Sequence, residues 1–370
     1  MTEVYLKTSD LRPGIMISED IFVNTNHPIV RKNTELSFEH LEVMHAFGIK
    51  KVKIHKQEQL VVKREETTVS IENNPVDPDE ILAQIPMRQV ELQAGYTGAV
   101  QNYKKEFLGW RAGIRPNTAK VRSIVIPLLE AFIEKDQMLT VLNDLSNPKD
   151  YLYHHSIAVG VLSFAISEQM GFPKGQMLQL GLAGVLADCG MARIDPSITE
   201  KAAFLTKSEF NEVKKHTVYS YQMVQDTPLL RQEMKLAILQ HHERLDGSGY
   251  PRGDKMEQIS VFSQILAVAD VFHAMTSERV HRSKESPFKV IEMIQEEEFG
   301  KFDIKVVQAL HALVCNLSIG TRVQLTNGEI GEVMFIHQEV KLRPMVKRSI
   351  DGSIIDLAIN RQIAIEKVLA

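Results

Sequence analysis

His241-His242-Glu243-Arg244-Leu245-Asp246-Gly247-Ser248-Gly249-Tyr250-Pro251 closes an apolar run and passes at once into a glycine-rich turn. Imidazole is the commonest protein ligand for transition metals, and glycine lets backbone approach a ligand closely. Neighbouring residues on a helix point about 100° apart, so His241 and His242 cannot follow one apolar stripe. At a helix end they straddle a cleft instead. One peptide thus combines metal-binding capacity with a shaped rim.

Outward from this peptide the pattern is helical, from about residue 86 to residue 316. Val121, Ile124, Val125, Leu128, Leu129 and Phe132 keep helical spacing, as do Ile157, Val161, Phe164 and Ala165. Leu178 to Leu186 is apolar nearly all round, which predicts a central buried helix. Further helices are expected near Lys207–Val224, Leu229–His242, Val261–Thr276, Pro287–Glu297 and Ile304–Val314.

The flanks differ. In the first 62 residues, Leu11-Arg12-Pro13-Gly14 signals a turn before β-type runs around Ile15–Val23 and Pro28–Val30. Ser37 then offers an N-cap to a helix carrying Leu41, Met44 and Phe47 and ending at Gly48, followed by a strand at Val52-Lys53-Ile54. Residues 63–117 read as a polar, proline-bearing linker and helical connector, and residues 118–316 as the main domain. Over residues 317–370, alternation at Val323 and Leu325 and turns at Asn327-Gly328 and Asp351-Gly352 predict a small antiparallel β module, barrel-like or open. The expected architecture is multidomain: a central all-α domain between an N-terminal α/β module and a C-terminal β module.

Composition excludes several classes. At 370 residues, 44% hydrophobic and 24% charged, the chain reads as an ordinary globular protein with more than one core. A net charge of −4 argues against binding a nucleic-acid polymer, though not against a small anionic ligand. No apolar run reaches the roughly 18 residues of a membrane span, and the N-terminus lacks a signal core. Cys189 and Cys315 sit in apolar surroundings without the look of a disulfide framework, so a cytoplasmic setting is expected.

Five predicted helices each carry potential metal ligands: His155, Asp188, His216, the pair His241 and His242, and Asp270. Each residue alone has an ordinary reading. His216, beside Lys214 and Lys215, suits a surface position, and Asp188 and Asp270 suit carboxylates paired with arginines. Cys189 reads as a small core residue. Asp188 and Asp270 both follow apolar runs, however, where an unpaired carboxylate is costly. Taken together, a mixed His/Asp set suits Fe, Mn or Zn better than Mg or Ca.

This order of residues resembles the HD-GYP family of metal-dependent phosphohydrolases, over about residues 118 to 316. The resemblance is carried by His155-Ser156, His216, His241 to Pro251, Ala269-Asp270-Val271-Phe272, and Arg279 and Arg282. It implies hydrolysis of cyclic di-GMP, or a related cyclic dinucleotide, at a centre that in the family holds two or three metal ions; one or two divalent transition-metal ions are expected in this chain. Iron and manganese are favoured and zinc is compatible. It implies Asp188 as the bridging, catalytic carboxylate, with His216, His241 and His242 on one ion and His155 and Asp270 on the other. Gly249, Tyr250 and Pro251 would shape the nucleotide side, and Arg279 and Arg282 would face substrate phosphates. Signalling proteins and a second copy of the chain are partners that the resemblance leaves open.

The match has gaps. The family's His-Asp-x-Gly-Lys reads Ala187-Asp188-Cys189-Gly190-Met191, so one imidazole ligand and one positive charge are missing. The family's Asp one turn after Asp270 is His273, which shares a helix face with Asp270 and is a candidate replacement ligand. Two functions are therefore open: a phosphodiesterase with reduced activity, or a catalytically silent receptor or protein-interaction module.

Overall fold

The computed structural model describes residues 3–8, 11–12, 15–21, 30–36, 40–41, 44, 49–55, 87–132, 142, 145, 148–201, 203–278, 284–296, 300–315 and 317–369. The chain divides into two compact units, 84–316 and a second formed by 1–83 with 317–370.

In the second unit, β1 (Glu3–Lys7) pairs antiparallel with β2 (Lys51–His55), Tyr5 opposite Lys53. Bridges from Ile17 to Ile54 and from Ile21 to Val30 fold the intervening chain over a small core of Leu11, Ile17, Ile21, Val30, Leu36, Met44, Val52 and Ile54. His40, Leu41 and Met44 are helical, as expected. Ser37, Phe47 and Gly48, the cap and end expected for that helix, lie outside the described residues. So do Pro13, Gly14, Val23 and Pro28, and the linker around Pro75 and Pro78.

The C-terminal residues form an antiparallel five-stranded sheet. Its strands are β3 (Arg322–Leu325), β4 (Ile330–Phe335), β5 (Met345–Arg348), β6 (Ile354–Asp356) and β7 (Ile365–Val368), in the order β6-β5-β4-β3-β7. The predicted turns lie between β3 and β4 and between β5 and β6, where Gly328 and Gly352 adopt φ of 85° and 70°. Arg343 Nη1 donates to the carbonyls of Leu357, Arg361 and Ile363, and Arg348 pairs with Glu329. Both arginines tie the sheet together.

The 84–316 unit is helical throughout its described elements. The long helices α1 (Met87–Arg111) and α2 (Thr118–Ala131) lead to α3 (Tyr151–Gln169), which is buried along every residue from Tyr153 to Ser167. The expected central helix, α4 (Lys174–Leu186), is buried continuously only from Leu180. The more central helix is α3. Its signal is muted in sequence because serines and alanines fill the tight contacts. Ser156 and Ser167 satisfy their hydroxyls on the helix's own carbonyls at 3.0 and 2.7 Å.

Glycines set how closely α3 and α4 approach. A Cβ on Gly160 would lie 2.3 Å from Val185 Cγ2, and one on Gly184 would lie 2.9 Å from Gly160 Cα. This near-contact of backbones brings the start of α3 beside the end of α4, where two of the candidate ligands stand. After the short α5 (Pro196–Thr199), the predicted Lys207–Val224 helix is two helices, α6 (Lys207–Val213) and α7 (His216–Val224). The break at Lys214-Lys215 places His216 at the first position of α7. Then follow α8 (Gln232–Gln240), α9 (Val261–Thr276), α10 (Pro287–Glu296) and α11 (Ile304–Val314). No described helix is long and apolar enough to cross a membrane.

Candidate metal centre

Five elements deliver the ligands. His155 lies one turn into α3, and Asp188 just past the end of α4, before a short 3-10 turn (Cys189–Arg193). That turn is clamped onto α7: Gly190 N donates to Ser220 Oγ at 2.8 Å, and a Cβ on Gly190 would meet the His216 carbonyl at 2.2 Å. Only glycine allows Asp188 to come this close to His216. His241 caps α8, His242 follows it, and Asp270 comes from the buried middle of α9.

Two ligand sets result, sharing Asp188. The first is Asp188, His216, His241 and His242; the second is His155, Asp188 and Asp270; within each, one atom per residue lies within 4.8 Å of the others. All six metal candidates named from sequence are thus gathered at one place.

The first set has the hydrogen-bonding pattern of a metal site. His216 Nδ1 donates to the Val213 carbonyl and His241 Nδ1 to the Ile238 carbonyl, both at 2.7 Å. A carbonyl only accepts, so each ring's proton is on Nδ1 and each Nε2 carries a lone pair. Those nitrogens lie 3.1 and 3.4 Å from Asp188 Oδ1 and 3.4 Å from one another. Asp188 Oδ1 is nevertheless buried without a hydrogen bond. Three lone-pair atoms this close repel unless a cation, proton or metal, lies among them. The donor set therefore fits a divalent transition metal.

Electrostatics agree. Burial opposes charge on Asp188, but the flanking imidazoles of His216 and His241 outweigh it and hold the carboxyl well below its usual range. Burial likewise works against a charged His216, yet Asp188 beside it raises its pKa. Burial and the neighbouring His241 push His242 well below the usual imidazole value, leaving it neutral. Burial pushes the Cys189 thiol up to about 12, which keeps it a protonated core group.

The second set is wired differently. His155 Nε2 is hydrogen-bonded to Asp270 Oδ1 at 2.9 Å and lies 3.6 Å from Asp188 Oδ2. His155 Nδ1 faces His273 Nδ1 at 2.9 Å and the Tyr151 hydroxyl at 3.1 Å. His273 is thus placed behind His155 and belongs to neither ligand set. Ala187, 3% exposed, lines a small void beside Asp188 together with His155, Ser156 and Gly184.

The glycine-rich turn forms the rim. Tyr250 stacks on His242 with ring centroids 4.7 Å apart, and its backbone N–H donates to the His242 carbonyl at 3.1 Å. A Cβ on Gly249 would sit 2.5 Å from Arg244 N, Glu243 Cα and His242 O, so the turn folds only with glycine there. Pro251 follows Tyr250 through a cis peptide. Arg279 and Arg282 lie outside the described residues.

Two contributors escape a reading of the sequence. Glu243 is fully buried and accepts the backbone N–H groups of Arg252 at 2.7 Å and Asp254 at 3.0 Å, closing the turn on itself. Its signal in the sequence is an acidic residue at the mouth of a glycine loop. Lys214 holds its ammonium 5.2 Å from the centre of the Tyr250 ring, a positive charge at the rim. Arg193 points elsewhere, bonding Gln222 at 3.1 Å and covering Tyr219.

Residues 140–306 match the HD domain family. A cyclic di-GMP phosphodiesterase of Pseudomonas aeruginosa is 32% identical over 237 residues, 64% of this chain and 57% of that protein. One of Thermotoga maritima is 38% identical over 164 residues, 43% of this chain and 44% of that protein. A 3'3'-cGAMP-specific phosphodiesterase of Vibrio cholerae is 28% identical over 186 residues, 50% of this chain and 40% of that protein. The chain thus spans about half the length of these relatives. Among solved structures, Bd1817, a HDG"Y"P protein from Bdellovibrio bacteriovorus, shares the fold with a TM-score of 0.51, at 16% identity. That match covers 84% of this chain and 99% of that one. Over residues 140–306 the chain matches the HD domain family, and its fold is similar to that of the HDG"Y"P protein.

Proposed function

We propose that the chain hydrolyses a phosphodiester bond of a cyclic dinucleotide of the cyclic di-GMP class, with a divalent ion held by Asp188, His216, His241 and His242. The observation that supports this most is the convergence of two anchored Nε2 lone pairs on a buried carboxylate oxygen that no donor satisfies. When bound, such an ion supplies Lewis acidity toward a phosphoryl oxygen and lowers the pKa of water. Iron and manganese are the favoured ions, with zinc compatible.

The chain's own residues prepare the reaction. Asp188 carries the negative charge that binds the ion, and His216 and His241 are held in register by backbone carbonyls, so they need no reorganisation. Neutral His242 and the stacked Tyr250 form one wall, while Gly249 and Pro251 hold that wall in shape. Burial raises the Tyr250 phenol, which stays protonated and is a neutral donor to a phosphate or base. Lys214 provides a positive charge beside it and offsets in part the cation missing at Met191. With Ala187 in place of an imidazole, we expect turnover below that of a centre with two full ligand sets. Arg279 and Arg282 are proposed as further phosphate contacts.

Ala187 and Met191 also favour a second reading, a receptor that binds the nucleotide without cleaving it. Incubating the Mn- or Fe-loaded protein with cyclic di-GMP and 3'3'-cGAMP, with chromatography of the products, separates the two. Linear or mononucleotide products that disappear with Asp188→Ala support the hydrolase. Nucleotide binding without product supports the receptor.

A further inference from the structure

The hydrogen bonds behind His155 form a chain, Ser277–His273–His155–Asp270. Ser277 Oγ lies 3.0 Å from His273 Nε2, His273 Nδ1 lies 2.9 Å from His155 Nδ1, and His155 Nε2 lies 2.9 Å from Asp270 Oδ1. His273 is 1% exposed and His155 4%, so both rings are shielded from bulk solvent.

Donor and acceptor bookkeeping gives this chain two self-consistent states. Asp270 enters this chain as a carboxylate, whose oxygen accepts from a ring N–H at 2.9 Å. In one state His155 carries its proton on Nε2 and donates to Asp270. Its Nδ1 then accepts from His273 Nδ1–H, and His273 Nε2 accepts from the Ser277 hydroxyl. In the other state every proton moves to the opposite side, and His155 Nε2 is left as a bare lone pair. The close Asp270 contact selects the first state. The Tyr151 hydroxyl, 3.1 Å from His155 Nδ1, donates or accepts and so fits either state.

We propose that His273 is a positioning residue that holds His155 as a hydrogen-bond donor to Asp270, so that the His155 side binds no metal and the centre takes one ion. An imidazole behind His155 donates or accepts equally well, and so it permits this state. A carboxylate in its place only accepts. It would claim His155 Nδ1–H and aim the Nε2 lone pair at the space shared with Asp188 and Asp270. This inference rests on the metal-centre reading above, and deepens it to a stoichiometry.

The test is calorimetric titration of the metal-free full chain with Mn2+, for wild type and for His273→Asp. The expected result is one ion per chain for wild type and two for the variant. Two ions in wild type, or one in a folded His273→Asp, would overturn the inference while leaving the metal reading standing. No ion in wild type would remove both. Because a buried aspartate can impair folding, 15N NMR of the His155 ring in metal-free wild type gives an independent readout. A protonated Nε2 with bare Nδ1 is expected, and the opposite tautomer would overturn the proposal without any substitution.

Discussion

His216 Nε2 stands 3.1 Å from Asp188 Oδ1, while Nδ1 of the same ring faces the Val213 carbonyl at 2.7 Å. With Nδ1 so committed, Nε2 and the carboxylate meet through either a proton or a metal ion, and that competition organises the centre. Asp188→Asn keeps the size of the side chain but removes its charge. Since loss of even an outer-layer partner costs about 10–100-fold in metal affinity, this variant should lose more than about 100-fold. Competition against a fluorescent chelator measures it, and an unchanged affinity would place the ion elsewhere.

Metal binding should also depend on pH from near neutrality downward. Burial disfavours the charged form of His216, but Asp188 outweighs it, so the ring titrates above the usual imidazole value of about 6.5. Protonated imidazole cannot ligate. As pH falls through the raised pKa a proton displaces the ion, and the apparent affinity should drop about tenfold per pH unit. Titrations in buffers of different ionisation enthalpy should show proton release on metal binding that grows as pH falls through this raised value. Heats independent of buffer would contradict this.

The rim is tested at Glu243. Glu243→Gln places an amide where two backbone N–H groups need an acceptor, leaving at least one unsatisfied at about 1–3 kcal/mol. The turn should loosen, raising KM for the dinucleotide severalfold while Mn2+ affinity, set by His216 and His241, stays within about twofold. Steady-state kinetics beside the metal titration separate the two effects. A parallel loss of metal would show that the turn also holds the ligands.

Lys214→Ala should raise KM and flatten its salt dependence, since it removes a charge that attracts phosphate. The measurement is KM between low and moderate ionic strength, and equal salt dependence in both proteins would exclude the role.

At the fold level, Gly184→Val forces β-branched bulk against Gly160 Cα, Gly160 N and the Val159 carbonyl, all within 3.0 Å of the position a Cβ would take. Overpacking typically costs about 1–3 kcal/mol, and backbone contacts leave little room to relax. Thermal unfolding should shift downward by several degrees, and an unchanged midpoint would mean that α3 and α4 separate without cost.

Much of this was legible in the sequence. The helices of the central unit follow apolar periodicity, and Val261–Thr276 and Ile304–Val314 fall at the expected boundaries. The six ligand candidates, drawn from five helical segments far apart in the chain, do meet. Less visible was whatever depends on orientation. Sequence spacing puts His273 on the face of Asp270, but only packing shows that it meets the rear nitrogen of His155. The break between α6 and α7 was missed because Lys214 and Lys215 are good helix formers, and the turn there is imposed by tertiary contacts of His216 and Gly190. The central position of α3 was hidden by its serines, which spend their polarity on their own helix.

The most direct test titrates activity against metal. Metal-free protein receives Mn2+ or Fe2+ in sub-stoichiometric steps under anaerobic conditions, and hydrolysis of cyclic di-GMP is followed at each step. Turnover should rise linearly and level off at one ion per chain, and it should be absent at every step in Asp188→Ala. Turnover without added ion, or full occupancy of the Asp188–His216–His241 set with no cleavage of any cyclic dinucleotide, would contradict the account.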